Sequence, residues 1–296
     1  MSSGAALSLA RANVRAGWRR WSRRTGTTGA VVSGSVLAVL VAAAALAPLL
    51  ASYPVNQISL LDRLQAPASS HLLGTDSLGR DLFTQMVYGA RISLLVGAVS
   101  VLIGATVGIT VGILAGYFGG RFDNVVMRVA DIQMAFPFVL LAIALMAVLG
   151  AGVSNLILVL ALRSWVDFAR LIRGEVLRVK PLDYIESAIA VGASHLRVVT
   201  RHLLPNVMTP AIVLISFSVA QAIIVESSLS FLGFGPGPDV PTWGGILAGG
   251  RSYLTSAWWI ALFPGVALML TVLSINVLGD WLRDRLDPRL REERWR

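Results

Sequence analysis

The side chains that could carry bond-making chemistry are few in this sequence. There is no cysteine, which excludes disulfides, thiolate catalysis and cysteine metal sites. The three histidines, His71, His195 and His202, argue against a zinc centre. A nucleotide-binding P-loop needs a Gly-Lys-Ser/Thr ending, yet the only lysine, Lys180, is followed by a proline. The sequence therefore predicts no catalytic, cofactor-binding or metal site in this chain.

Composition indicates a membrane protein. Of the 296 residues 55% are hydrophobic and only 14% are charged, against about 25% charged residues in ordinary soluble domains. The mean hydropathy is +0.72. A bilayer core of about 30 Å needs about 20 apolar residues of helix. This length selects six segments, which run roughly over residues 30–50, 92–117, 129–149, 155–172, 209–232 and 257–279. We therefore predict an all-α integral membrane protein with six transmembrane helices.

A few charged side chains lie within these apolar segments, where each costs at least ~2.5 kcal/mol at the bilayer centre. Arg163 and Asp167 are one helical turn apart, so we expect them to pair with each other; a role in transport is the alternative. Glu226 lies near Gln221 and has no residue of opposite charge within reach on its own helix. We expect Glu226 and Gln221 to face a pore or to contact another helix.

Basic residues predict the orientation in the membrane. Arginines are concentrated before the first span, after the last one, and in the connections between spans two and three and between spans four and five. The remaining loops carry only Arg63, Arg80, Arg91 and Arg251. Because cytoplasmic segments are enriched in arginine and lysine, both termini are expected in the cytoplasm.

The predicted organisation has four parts. Residues 1–29 form an arginine-rich cytoplasmic tail, and residues 30–91 form the first transmembrane helix with an extracytoplasmic loop. Residues 92–280 hold the other five helices, with a cytoplasmic hairpin at about 174–206, and residues 281–296 form a basic cytoplasmic tail.

Glycine recurs at every fourth position of the second span. The stripe consists of Gly104, Gly108, Gly112 and Gly116. Small residues at this spacing allow a second helix backbone to approach closely, so we expect tight packing along this face. A solute path lined by glycine is the alternative.

Residues 186–205 are polar and helix-forming in a chain that is otherwise rich in apolar residues. The pattern predicts a helix, a turn at Gly192 and a second helix that ends before Pro205. This makes an exposed cytoplasmic hairpin between the fourth and fifth spans.

The hairpin resembles the E-A-A, G, I-x-L-P signature of the membrane subunits of ATP-binding cassette importers. The matching residues are Glu186, Ala188, Gly192, Leu204 and Pro205. The resemblance implies the type I importer permease fold and a coupling helix that docks on a cytoplasmic ATPase. The residues expected to contact the ATPase are then Glu186, Ser187, Ala188, Gly192, Ala193, His202, Leu204 and Pro205. An ordinary amphipathic cytoplasmic loop is the alternative.

Departures from the general signature point to one branch of that family. Ser187 stands where the general pattern has alanine, and His202 where it has isoleucine. The run Arg-His-Leu-Leu-Pro-Asn at 201–206 looks like the version of the dipeptide and oligopeptide branch. Further segments are similar to the same branch, namely residues 71–94, 116–143 and 227–247.

Within that branch the chain resembles the C-type permease. The resemblance implies a heterodimer with a homologous B-type permease, two ATP-binding subunits, an extracytoplasmic peptide-binding protein and the bacterial plasma membrane. ATP and Mg²⁺ are expected on the partner ATPases, so no cofactor is expected on this chain, and no nucleic acid is expected as a partner. The implied mechanism is alternating access, in which closure of the ATPases moves the hairpins and turns a central cavity outward.

The outer loops, residues 51–91 and 233–256, are where a binding protein is expected to dock. In the stretch 73–81 a second interpretation competes, because Asp76 and Asp81 readily cap their own backbone. We favour the local capping role.

Other cargoes and another class of protein stay open from sequence. Nickel and glutathione importers of the same branch resemble peptide permeases. An ion-coupled secondary carrier or channel would need no ATPase, but it predicts inverted repeats and broken helices at mid-membrane, and no convincing internal repeat is seen.

Overall fold

The computed structural model describes residues 27–286, and the regular structure in this range is helical. Within this range, β-type pairing is limited to one isolated antiparallel bridge between Thr75 and Asp81. The predicted all-α class is therefore confirmed. The arginine-rich tails predicted at residues 1–29 and 281–296 fall mostly outside the described residues.

The helices follow one another along the chain with short connections after the first loop. In chain order they are α1 Thr27–Ala45, α2 Ala47–Leu50, α3 Leu82–Phe118, α4 Gly120–Met134, α5 Phe138–Leu149, α6 Val153–Val179, α7 Asp183–Ala190, α8 His195–Val198, α9 Leu204–Phe231, α10 Trp243–Gly250 and α11 Trp259–Leu286. Short 3₁₀ turns lie at Leu60–Asp62 and Arg251–Tyr253, and a π-helical turn at Val199–Leu203 joins α8 to α9.

Four helices of the described range are long and apolar enough to cross a membrane. They are α1, α3, the continuous helix His195–Phe231 and α11. The pair α4 and α5 brings the number up to 5 if it is taken as one span. Helix α6, which covers the predicted fourth span, carries Arg163, Asp167 and Arg170 and does not meet this criterion. The count of six transmembrane helices therefore stays a prediction.

The predicted third span is broken rather than straight. Helix α4 ends at Met134, α5 begins at Phe138, and the two axes differ by 89°. Pro137 explains the break, because proline lacks the N–H that an α-helix needs and disfavours helical geometry in the residue before it. The prediction of one continuous helix over residues 129–149 was wrong for this reason.

Helix α3 begins ten residues before the predicted start of the second span at Ile92. Asp81 caps its first turn, since its carboxylate accepts a hydrogen bond of 2.8 Å from the backbone N–H of Thr84. The other carboxylate oxygen lies 3.0 Å from Nδ1 of His71. Asp76 accepts from the backbone N–H groups of Leu78 and Arg80 at 2.8 and 3.0 Å. Both carboxylates thus perform the local capping that the sequence favoured.

The glycine stripe of α3 lies against α6. A Cβ atom built on Gly104 would be 2.5 Å from Cβ of Ser164, and one built on Gly108 would be 2.4 Å from the carbonyl oxygen of Trp165. The contact continues along the helix, where Gly112 meets Ala169 and Gly116 meets Val176. The two backbones therefore approach along four successive turns, closer than any larger residue on α3 would allow.

The loop predicted between the fifth and sixth spans contains a helix. Thr242 caps α10 by accepting a hydrogen bond of 3.1 Å from the backbone N–H of Gly245. Trp243 is buried, and its indole N–H donates to the carbonyl oxygen of Met86 at 3.1 Å. Tertiary packing of Trp243 against α3 thus orders a glycine-rich segment that has little helix propensity of its own.

The close contact of α3 and α6 predicts a large difference between two glycine-to-alanine substitutions. Gly108→Ala forces a methyl group into the Trp165 carbonyl and should destabilise the protein by about 1–3 kcal/mol. Gly174→Ala on α6 meets nothing within 4 Å and should be neutral or stabilising by about 0.5–1 kcal/mol, because alanine restricts the unfolded chain. Thermal unfolding of the purified protein in detergent measures both, and equal midpoints would contradict the packing argument.

Candidate functional site

The hairpin predicted from sequence consists of α7, a tight turn and α8. Gly192 occupies the turn with φ of +84°, a left-handed conformation that favours glycine. Its backbone N–H donates to the carbonyl oxygen of Ile189 at 2.9 Å, and that of Ala193 donates to Ala188 at 3.0 Å. Ser194 then caps α8 through a hydrogen bond to the N–H of Arg197. The reversal at Gly192 is therefore built from backbone hydrogen bonds.

The sequence predicted that the second arm of the hairpin ends before Pro205, but the helix continues past this residue. The chain stays helical from His195 to Phe231 through the π-helical turn. In that turn the N–H of Leu204 donates to the carbonyl oxygen of Val199, five residues earlier. Pro205 follows in the first turn of α9, where its missing N–H is tolerated. The wider turn lets the helix pass the proline, so the hairpin is joined directly to a transmembrane helix.

Apolar packing fixes the hairpin to the bundle. Ile185, Val198 and Leu203 are fully buried and pack in one cluster with Ile172 and Val176 of α6. The same cluster includes Ile113 and Tyr117 from the end of α3. Each arm of the hairpin thus contributes side chains to the core that it shares with α3 and α6.

Polar contacts add to this attachment. The hydroxyl of Tyr117 and Nδ1 of His195 are 2.7 Å apart, which connects the end of α3 to the start of α8. The ammonium group of Lys180 donates to the Tyr117 carbonyl oxygen at 2.7 Å. The Asn206 amide donates to the Tyr184 hydroxyl at 3.1 Å. These bonds connect both arms of the hairpin to the helices behind it.

The predicted contact residues divide between exposed and half-buried positions of the hairpin. Glu186, Ser187, Gly192 and Pro205 are exposed, whereas Ala188, Ala193, His202 and Leu204 are half-buried.

Two further residues of the hairpin were missed from sequence. Val191 and Leu196, which flank the turn, are 86% and 73% exposed. Apolar side chains beside a glycine turn, in a segment outside the spans, were the signal that would have identified them. The tip of the hairpin is therefore an apolar surface that the described residues leave uncovered.

Glu226 lies in a different place from the hairpin and contacts three helices. It is fully buried, and its carboxylate accepts hydrogen bonds from the hydroxyls of Ser93 at 3.0 Å, Ser230 at 2.8 Å and Ser227 at 3.2 Å. The Ser93 hydroxyl also accepts from the backbone N–H of Trp243 at 3.3 Å. Glu226 thus connects α9, α3 and the start of α10, and it has no basic partner among the described residues.

A cavity of about 320 Å³ lies between α6, α9 and α11. Its polar lining is formed by Arg163, Ser164, Asp167, Ser218, Gln221 and Asn276. Gln221 therefore faces this cavity, whereas the Glu226 carboxylate is enclosed by its serine partners.

The ion pair expected between Arg163 and Asp167 is not formed. The ion pairs of the described residues do not include one between these two side chains. The guanidinium of Arg163 lies over the Phe138 ring instead, 5.2 Å from its centroid. The close contact of the Arg163 guanidinium is therefore with α5, whereas sequence spacing had suggested one along α6.

Comparison with known proteins gives consistent matches to family models. Residues 108–292 match the model described as binding-protein-dependent transport system inner membrane component. Residues 15–67 match the model of the N-terminal TM domain of oligopeptide transport permease C.

Individual relatives cover nearly the whole chain. A putative peptide transport system permease protein of Brucella suis is 44% identical over 275 residues, which is 93% of this chain and 91% of that protein. The glutathione transport system permease protein GsiD of Salmonella typhimurium is 45% identical over 280 residues, or 94% and 92% of the two chains. An inward-facing structure of the MetNI methionine ABC transporter covers 68% of this chain and 95% of its own, with a TM-score of 0.56 and 20% identity. That structure supports the fold alone.

The buried serine cluster around Glu226 predicts a difference between two substitutions. Glu226→Leu removes the acceptor of three buried hydroxyls and should destabilise the protein by about 1–3 kcal/mol. Glu226→Gln keeps the shape and the hydrogen-bonding capacity, so its unfolding midpoint should stay close to that of the unmodified protein. Thermal unfolding in detergent measures both, and a stable Glu226→Leu variant would contradict the assigned contacts.

Proposed function

The chain belongs to the family of binding-protein-dependent transport system inner membrane components, and from this premise we propose that it is the permease of an ATP-driven importer of short peptides. Its similarity over more than nine-tenths of its length to proteins named as peptide and glutathione permeases supports this cargo class. Glutathione is itself a short peptide, so both names fit one chemistry.

The observation that carries the mechanism is the hairpin with its exposed apolar tip. Val191 and Leu196 are uncovered at the end of an arm whose base is packed into the core. An apolar surface of this kind is typical of a site that another protein covers. Because the sequence contains no P-loop, we propose that the covering protein is a cytoplasmic ATPase and that the hairpin receives its movement.

The path of that movement follows from the contacts. Closure of the ATPases would push on α7 and α8, and the cluster of Ile185, Val198 and Leu203 would pass the displacement to α3 and α6. The unbroken helix from His195 to Phe231 would carry it through the membrane. Rigid elements that move together are what alternating access requires, since a packed core transmits a shift instead of absorbing it.

The remaining subunits are part of the proposal. A homologous permease would complete the pathway, two ATPases would bind ATP and Mg²⁺, and an extracytoplasmic binding protein would deliver peptide to the outer loops. We propose that both termini are cytoplasmic, which would put α10 and the capped segment around Asp76 on the outer side. This orientation also leaves the hairpin in the cytoplasm, where ATP is available.

A test of the coupling surface uses the residue at the tip of the hairpin. Val191→Asp places a charge on the apolar tip, and in the reconstituted complex it should lower peptide-stimulated ATP hydrolysis and transport at least tenfold, because a buried unpaired charge opposes docking. The matched control is Val191→Thr, which keeps the volume and stays neutral and should lose far less. Unchanged transport in Val191→Asp would show that the tip is not the docking surface.

A second test uses the signature residues. Glu186→Ala combined with Gly192→Asp removes the exposed carboxylate and strains the turn, where φ is +84°. We expect transport and stimulated ATP hydrolysis to be lost together in proteoliposomes, while the complex still forms. If both activities stay at the level of the unmodified complex, the coupling assignment is wrong.

A further inference from the structure

The cavity between α6, α9 and α11 holds two opposite charges near the middle of the membrane. Gly104 lies close to the centre of the apolar segment 92–117 and packs against Ser164. Arg163 is the neighbour of Ser164, and Asp167 follows one helical turn later, about 6 Å along the axis. Charges at this depth persist where they face a partner or a water-filled space.

Contacts within the chain leave Asp167 available. It is exposed, and among the described residues it forms no ion pair, although Arg163 and Arg170 both lie near enough to attract its charge. Arg170, a second basic residue close to it, pairs with Asp131 of α4. Arg163 also lines the cavity, with its guanidinium over the face of Phe138. Its N–H donors form no hydrogen bond with the other described residues, so they can donate to a ligand.

The lining of the cavity changes character along α9. Ser218 and Gln221 line the cavity, and the same face of the helix continues through Ile224 and Ser228 to Phe231. The latter residues border an apolar groove of about 720 Å³ that α11 completes with Leu268, Met269 and Leu273. Ile224 and Asn276 line both spaces, so the polar cavity opens into the apolar groove.

We propose that this cavity binds the charged ends of a zwitterionic short peptide during its passage, with Arg163 taking the terminal carboxylate and Asp167 the terminal ammonium. This inference rests on the proposed function and adds to it the residues that recognise the cargo. The apolar groove takes side chains, and Ser218, Gln221 and Asn276 offer donors and acceptors to the peptide backbone.

The dimensions and charges suit this class of ligand. An extended peptide of two or three residues spans about 7–11 Å, which is compatible with two charged groups that form no ion pair with each other among the described residues. A guanidinium binds a carboxylate through two parallel hydrogen bonds.

The test compares peptides with free and blocked ends in the complete complex in proteoliposomes. The probes are dialanine, its C-terminal amide and its N-acetyl derivative, each supplied at saturation of the binding protein. The unmodified complex should transport dialanine at least tenfold faster than either blocked form, since a lost charge-assisted hydrogen bond costs about tenfold or more. Equal rates for the three peptides would overturn the proposal. This comparison uses only the unmodified complex, so it does not depend on whether a variant assembles.

The variants assign each end to a residue. Arg163→Gln should slow the transport of dialanine about tenfold and leave the transport of its C-terminal amide unaffected. Asp167→Asn should also slow the transport of dialanine about tenfold, but it should leave the transport of the N-acetyl derivative unaffected. Arg163→Lys keeps the positive charge and is the matched control, which should retain most of the preference for a free carboxylate.

The outcomes separate this proposal from the proposed function. If the unmodified complex moves no peptide, the proposed function fails. If it moves dialanine but both variants slow all three peptides equally, the two charges serve assembly with the partner permease, and the cargo-binding role is overturned.

Discussion

The close backbone contact between α3 and α6 is the constraint on which the rest of the bundle depends. In lipid there is no hydrophobic drive that brings helices together, so association relies on packing at short distance. Gly104, Gly108, Gly112 and Gly116 supply that packing against Ser164, Trp165, Ala169 and Val176. Helix α6 carries too many charges to qualify as a span by composition, and its place beside the apolar α3 depends on this contact. The depth of Arg163 and Asp167 follows from the same register.

Both ends of α3 hold a segment that has a proposed role. At one end, Tyr117 and the neighbouring apolar residues bind the hairpin, so that α7 and α8 are attached to the helix that packs most closely in the bundle. Towards the other end, Ser93 connects to Glu226 and to the start of α10, which orders the segment between α9 and α11. In the proposed mechanism, a displacement of the hairpin would therefore also displace the helix that supports α10. A single rigid helix can connect the proposed ATPase contact to the proposed binding-protein contact.

Three carboxylates near or within the membrane meet different environments, and the difference separates their roles. Glu226 is enclosed and satisfied by serine hydroxyls, which suits a structural connection between helices. Asp131 pairs with Arg170 and holds α4 to α6. Asp167 lines a cavity without an ion pair, and for that reason it is the one proposed to meet a ligand. An intramembrane carboxylate is thus informative about function only once its partners are known.

The sequence by itself determined the class of the protein, the apolar segments, the hairpin with its turn at Gly192 and the glycine stripe, because these depend on composition and on local spacing along one helix. It also identified the family through residues of the hairpin. Only the tertiary structure decided the 89° break at Pro137, the continuous helix past Pro205, the order of α10 and the partners of Arg163 and Glu226. The order of α10 and the partners of Arg163 and Glu226 depend on contacts with a different helix, such as α3 beside Trp243 or α5 beside Arg163. At the two prolines, the local backbone geometry decided between a break and a continuous helix. Spacing within one helix predicts which side chains are able to pair, but the competing partner on a neighbouring helix decides whether they do.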